Sequence, residues 1–211
     1  MKKLLILLSS TLLLTLLVGC SGKSDESEKY ISDYKIEGMS IGDNLLDYMN
    51  EKDILKIIEQ TKNHYSYLDE PYKYADVYIF KKYNTYESIA FAIRNNVNKD
   101  YKILSIRGII PYTQNLDACM QKRDIIAADF SKMFPNAETV VWKKANQLDP
   151  SGNSMFYLVT MLLTNGDEVK IHCSNWDETF RLKNKMSEGL SIELSSKEVV
   201  SWLAGYENSI Q

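Results

Sequence analysis

Three cysteines and two histidines are the side chains of this 211-residue chain best suited to reactive or metal chemistry. Their spacing argues against both. His64 and His172 stand outside any His-x-x-His, His-Glu-x-x-His or Cys-His grouping, so no motif-type zinc site is expected. Cys20, Cys119 and Cys173 form no Cys-x-x-Cys, the usual dithiol redox arrangement. There is no Gly-x-Ser-x-Gly elbow for a serine nucleophile. Gly22-Lys23-Ser24 has the ending of a phosphate loop, but Leu17 occupies the position of its first glycine. Asp149-Pro150-Ser151-Gly152-Asn153 reads as a turn with too few carboxylates for a calcium loop. Carboxylates distant in sequence can still meet in space as an acid–base pair. The chain is nevertheless read as a non-enzyme, with no metal and no cofactor.

Cys20 has a different setting. Lys2 and Lys3 precede an apolar run from Leu4 to Val18, broken only by Ser9, Ser10, Thr11 and Thr15. A run of about 15 residues is short of the ~20 needed to span a bilayer as a helix. A charged start, an apolar stretch and a small residue before a cut describe a secretory signal peptide, here residues 1–19. The ending Leu17-Val18-Gly19-Cys20 resembles the lipobox of bacterial lipoproteins. That resemblance implies cleavage before Cys20 and lipid on its thiol, a diacylglyceryl group joined by an amide-linked fatty chain such as palmitate. One acyl chain holds a protein only marginally, whereas several anchor it stably. The expected location is therefore the cell envelope, exported and held at a membrane. Ser21 rather than Asp after the cysteine leans towards the periplasmic side of an outer membrane, if the cell is Gram-negative.

Ser21 to Lys29 holds no large apolar side chain. Residues 20–33 are accordingly read as the lipidated cysteine and a solvated tether. Residues 34–211 suit one α+β domain, with division into subdomains 34–112 and 113–211 as the alternative. The formal charge is −3, and loss of Lys2 and Lys3 with the leader makes it −5. Without a basic cluster, nucleic acid is not expected as a partner.

The patterning predicts mainly antiparallel sheet with short N-terminal helices, a central helix packed on the sheet and a short C-terminal helix. Ser40 with Asp43, then Asn50 with Asp53, open two short helices or one kinked helix over about 41–62. A loop follows over 64–74. Val77 to Tyr83, Glu87 to Arg94 and Tyr101 to Ile110 alternate as a meander, with turns at Asn84-Thr85 and Asn95 to Lys99. Leu104, Ile106, Gly108 and Ile110 share one face of the third strand. Asn115 caps the clearest helix, which Pro135 stops. Its stripe is Leu116, Cys119, Met120, Ile126, Ala127, Phe130, Met133 and Phe134. Strands over about 138–143, 155–164 and 167–174 follow, then a short helix after Asn175 and a strand from Leu190 to Leu194. Ser195 with Glu198 opens a last helix that Gly205 ends.

Asn165-Gly166 predicts a two-residue type I′ hairpin. That register sets Leu162 opposite Val169, Thr160 opposite Ile171 and Leu158 opposite Cys173. Cys173 then lies on an apolar strand face and Cys119 on the helix stripe. In an oxidising compartment such a pair becomes a disulfide; the alternative is two separate buried thiols. The same register leaves Val159, Met161 and Leu163 on the far face. Either another element covers them or they form an apolar strip for a partner. Seven of the fourteen tyrosines fall between Tyr65 and Tyr86. Tyr65, Tyr67, Tyr72 and Tyr74 are a candidate recognition surface, although strand preference and codon bias produce the same enrichment.

Gly38-Met39-Ser40 before a short helix and antiparallel strands resembles the small outer-membrane lipoproteins of the β-barrel assembly machinery. Tyr48-Met49-Asn50 stands where their Leu-Gly is expected. The longer run from Ile36 to Tyr48, with Cys119 and Cys173, resembles a group of uncharacterised exported proteins of marine bacteria. The combined expectation is a membrane-anchored lipoprotein that binds or scaffolds envelope proteins. Small-ligand or glycan binding is the alternative, and an enzyme without a recognisable motif comes third.

Overall fold

A computed structural model describes residues 29–80, 83–95, 100–147 and 149–207. Cys20 and the whole leader lie outside the described residues, as do parts of the Val77–Tyr83 and Asn95–Lys99 segments. The fold is α+β. Strands β1 (Tyr74–Ile79), β2 (Ser88–Arg94), β3 (Ile103–Pro111), β4 (Glu138–Ala145), β5 (Met155–Leu162), β6 (Glu168–Asn175) and β7 (Gly189–Ser195) form one antiparallel sheet. Its order is β1-β2-β3-β7-β6-β5-β4, so the last strand joins two meanders. Helices α1 (Glu51–Thr61), α2 (Leu116–Met133), α3 (Glu178–Asn184) and α4 (Lys197–Glu207) complete it. Among the described residues no helix is long and apolar enough to cross a membrane.

α2 forms where the sequence places it. Asn115 Oδ1 accepts from Ala118 N at 3.2 Å, satisfying one of the free N-terminal amides. Cys119, Ala127, Phe130 and Phe134 are buried along one stripe. That stripe packs on β5, β6 and β7. Val159, Met161 and Leu163, Val169, Ile171 and Cys173, Leu190, Ile192 and Leu194 meet it in one cluster. Ile106, Ile89, Phe91, Ile93, Val77 and Ile54 of α1 extend the same core. At Gly189 a Cβ would come 2.2 Å from Ile110 O, so only glycine permits this β3–β7 approach.

The N-terminal half departs from expectation in three places. Ile31, placed in the tether, sits in a 3-10 turn and is 2 % exposed, so packing begins ahead of Tyr34. Ser40 starts no helix: Asp43 Oδ2 accepts from its N–H, but its hydroxyl donates upstream to Ser32 O and Tyr34 O. A 3-10 turn at Leu45–Asp47 precedes α1, which Asn50 caps. β1 starts at Tyr74, inside the expected loop.

Two registers also differ. A bulge lets β3 step from Ile103 to Ser105 while β2 steps from Ile93 to Ala92. Leu104 is thereby turned from the Ile106 face to the opposite one, where it joins Leu68, Tyr74, Val199 and Trp202. The β5–β6 hairpin is not a two-residue turn. Gly166 N donates to Leu163 O and Leu163 N to Asp167 O, while Gly166 takes a φ of 89°. This is a three-residue loop with glycine in the left-handed position. It moves the register by one: Met161 faces Val169 and Val159 faces Ile171. A one-residue shift turns every side chain over, so Val159, Met161 and Leu163 are core and Leu158 and Leu162 lie on the other face. The C-terminal helix runs past Gly205 to Glu207. Ser195 does not cap it; Asp167 Oδ1 accepts from Lys197 N at 2.8 Å.

Candidate functional site: the polar face of the sheet

Alternation gives each strand two faces. On the face away from α2, the register lines up Tyr78, Ala90, Arg107, Glu193, Lys170 and Thr160 across β1, β2, β3, β7, β6 and β5. Asp76, Ser105, Ser195 and Glu168 form the row towards α4, and Ser191 and His172 the row on the other side. α4 packs on β3 and β7, and its Val199 and Trp202 close one end with Tyr65. At the other end Phe156 lies 5.3 Å from His172 and, edge-on, 5.3 Å from Trp176. Between these ends Tyr78, Arg107, Glu193, Lys170, Thr160 and His172 are half-buried.

The polar groups form three neighbouring sets. Asp76 accepts from Tyr65 Oη at 2.7 Å and Tyr78 Oη at 3.1 Å, and lies 3.3 Å from His64 Nδ1. Lys170 Nζ pairs with Glu168 Oε1 at 2.8 Å. Ser105 and Ser195 hydroxyls are 2.9 Å apart, and Ser195 Oγ donates to Glu193 Oε1 at 3.2 Å. Among the described residues Arg107 Nε and His172 Nδ1 are buried without a partner. An unmet buried donor or acceptor is costly, so these two atoms carry a desolvation cost that the rest of the row offsets.

Charge and burial oppose each other here. Burial disfavours the Arg107 cation, yet Glu193, Tyr78 and Asp76 hold its pKa above the ordinary value. Burial likewise works against the Glu193 carboxylate, and Lys170, Arg107 and His172 overcome it, leaving the pKa lowered. For His172 the opposing pull of Glu193 is too weak: burial and then Arg107 depress it to about 4, so it is neutral at pH 7. Burial and Asp76 raise Tyr78 to about 12. His64 is raised, first by its hydrogen bond to Asp76. The face is an array of fixed donors and acceptors. Ser105 and Ser195 contact each other and Glu193 rather than a histidine base. Among the described residues no group of three His, Cys, Asp or Glu side chains is placed to hold a metal ion.

The residues singled out from the sequence are scattered relative to this face. Cys119 and Cys173 form a disulfide that joins the first turns of α2 to β6 on the opposite side of the sheet. Val159, Met161 and Leu163 are 3 %, 0 % and 7 % exposed, so they offer no binding surface. The tyrosines divide. Tyr74 is buried, Tyr65 packs edge-on to Trp202 at 4.5 Å, and only Tyr67 and Tyr72 are exposed. An open recess nearby is lined by Asp69, Glu70, Lys73, Tyr74, Glu198 and Trp202. Arg107 and Glu193 carry no motif in the sequence, because each is an ordinary charged residue of an alternating strand. The available signal was a repeated pattern: β3, β6 and β7 each carry a charge between two buried residues, Ile106 and Gly108, Val169 and Ile171, Ile192 and Leu194. No family model, curated protein or solved structure matches this chain.

Proposed function

We propose that this chain is a membrane-anchored envelope lipoprotein that binds a partner through the polar sheet face rather than catalysing a reaction. The observation that carries the binding surface is the half-buried Tyr78–Arg107–Glu193–Lys170 row, a line of polar and charged side chains on the sheet face that α2 does not cover. Lys2, Lys3, the apolar leader and Leu17-Val18-Gly19-Cys20 support the anchor. The Cys119–Cys173 disulfide supports export, because such bonds persist in oxidising compartments. A protein is the favoured partner.

Two experiments test this. Labelled palmitate should attach to the full chain and fail to attach to Cys20→Ser; equal labelling of both ends the anchored reading. Photo-cross-linkers at Phe80 and Leu162, 81 % and 41 % exposed at this face, should capture an envelope protein in cells. The same group at Ile125 on the outer side of α2 should not. Capture from Ile125 alone moves the binding surface to the helical side.

A second reading rests on the recess beside Tyr74 and Trp202, where an aromatic wall meets the carboxylates of Asp69, Glu70 and Glu198. That combination suits a sugar ring, stacked on one side and hydrogen-bonded on the other. Tryptophan fluorescence that shifts with cell-wall fragments, and no longer shifts in Glu198→Ala, supports it.

A further inference from the structure

β4 is the outer strand of the sheet, and all eight of its residues are exposed. Val140, Val141 and Trp142 at its centre are 49 %, 65 % and 38 % exposed. An apolar edge strand of this length is a template for pairing with another chain. Its backbone parity follows from the hairpin behind it. Asn146 N donates to Ser154 O in the β4–β5 register. Hydrogen-bonded and non-bonded pairs alternate along an antiparallel ladder, so even-numbered residues of β4 are tied to β5. Thr139, Val141 and Lys143 therefore point their N–H and C=O groups outward.

We propose that β4 pairs with β4 of a second copy, antiparallel, about a two-fold axis at Val141. In this register Val141 meets its own copy and Thr139 meets Lys143 as hydrogen-bonded pairs, giving about six backbone hydrogen bonds. Glu138 then meets Lys144, and Val140 meets Trp142, at the closer non-bonded positions. Charge complementarity selects this register. Sliding by two in one direction sets Glu138 against Trp142 and leaves Lys144 beyond the strand. Sliding by two in the other sets Val140 against Lys144 and Val141 against Lys143. Only the Val141-centred register matches opposite charges twice and apolar pairs on both faces, and a two-fold interface must be self-complementary in this way.

The axis is normal to the sheet, so the polar faces of both copies lie on one side. The N-terminal segment lies on the other, where Ile31 joins the α2 core and Tyr34 packs on Phe130 and Phe134. Both tethers thus leave from the same side, and each can extend roughly 30 Å from Cys20 to Lys29. Confinement on a membrane raises the effective concentration of each copy for the other.

The test uses the full-length chain in its membrane. In Val141→Cys the two thiols face each other across the axis at about 5.5 Å between Cα atoms, within disulfide reach. A covalent dimer should form on mild oxidation. Adding Glu138→Lys, or adding Lys144→Glu, places like charges opposite each other and should reduce the dimer at least ten-fold. Adding both swaps together should restore it. Because these side chains are exposed, the fold should persist, checked by an unchanged circular dichroism spectrum and unfolding midpoint of each variant. Absence of a dimer, a dimer indifferent to the swaps, or linkage of position 141 only to a different protein each overturns the proposal.

Discussion

Arg107 on β3 and Glu193 on β7 stand directly opposite each other in the sheet, on the face that α2 does not cover. Each is half-buried, and each holds the other charged against the pull of burial. Removing one partner leaves the other charge stranded, which is costly, whereas removing both is often mild. Glu193→Met should cost about 2–3 kcal/mol in urea unfolding. Arg107→Met in the same chain should recover most of that loss. Additive losses in the double variant would show that the two side chains act independently.

Stability should fall in mild acid. The imidazole of His172 ionises near 4 in the folded chain against an ordinary 6.5. As pH drops through 6.5 the unfolded chain takes up the proton first, so the folded state loses ground until about pH 4 and no further. Glu193, with its lowered pKa, acts in the same direction. His64 acts oppositely, since its raised value favours the folded chain in acid. His172→Gln should therefore flatten the decline by roughly 2–3 kcal/mol between pH 6.5 and 4. A curve unchanged by that substitution would remove His172 as its cause.

The disulfide ties residues 54 apart in sequence. Closing a loop of that size stabilises by about 2–4 kcal/mol. Cys119→Ala with Cys173→Ala should lower the unfolding midpoint accordingly. Tris-phosphine reduction of the wild-type chain should give the same shift.

The β5 register makes a sharp contrast between neighbours. Met161 is fully buried and Leu162 is 41 % exposed. Met161→Asp should unfold the chain, since an unpaired buried carboxylate exceeds the stability of most domains. Leu162→Asp should change stability by about 0.5 kcal/mol or less. Circular dichroism of the two proteins decides it, and the two-residue turn read from Asn165-Gly166 would require the reverse outcome.

That contrast also marks where reading the sequence succeeds and where it stops. The α2 stripe was legible because period-3.6 burial repeats over five turns and survives small errors. The face of β6 that carries Val169, Ile171 and Cys173 was legible from alternation, so the cysteine pair followed. Which face of β5 joined it was not, because both faces are apolar and the turn alone breaks the tie. Thr164 joined the loop, and the whole strand turned over. Leu104 was lost to the same physics: a single bulge changes parity, and nothing in the local residues announces it.

By itself the sequence determined the order of the strands and longer helices, the helix caps at Asn50 and Asn115, and the buried stripe of the long helix, because each depends on residues a few positions apart. The polar row on the sheet is a different kind of fact. Tyr78, Arg107, Glu193 and Lys170 come from four strands separated by as much as 115 positions, and only strand order brings them together. Inserting β7 between β3 and β6 placed Glu193 between Arg107 and Lys170. That choice is made by the packing of Leu190, Ile192 and Leu194 against α2 on the other face, a long-range burial that no local pattern encodes.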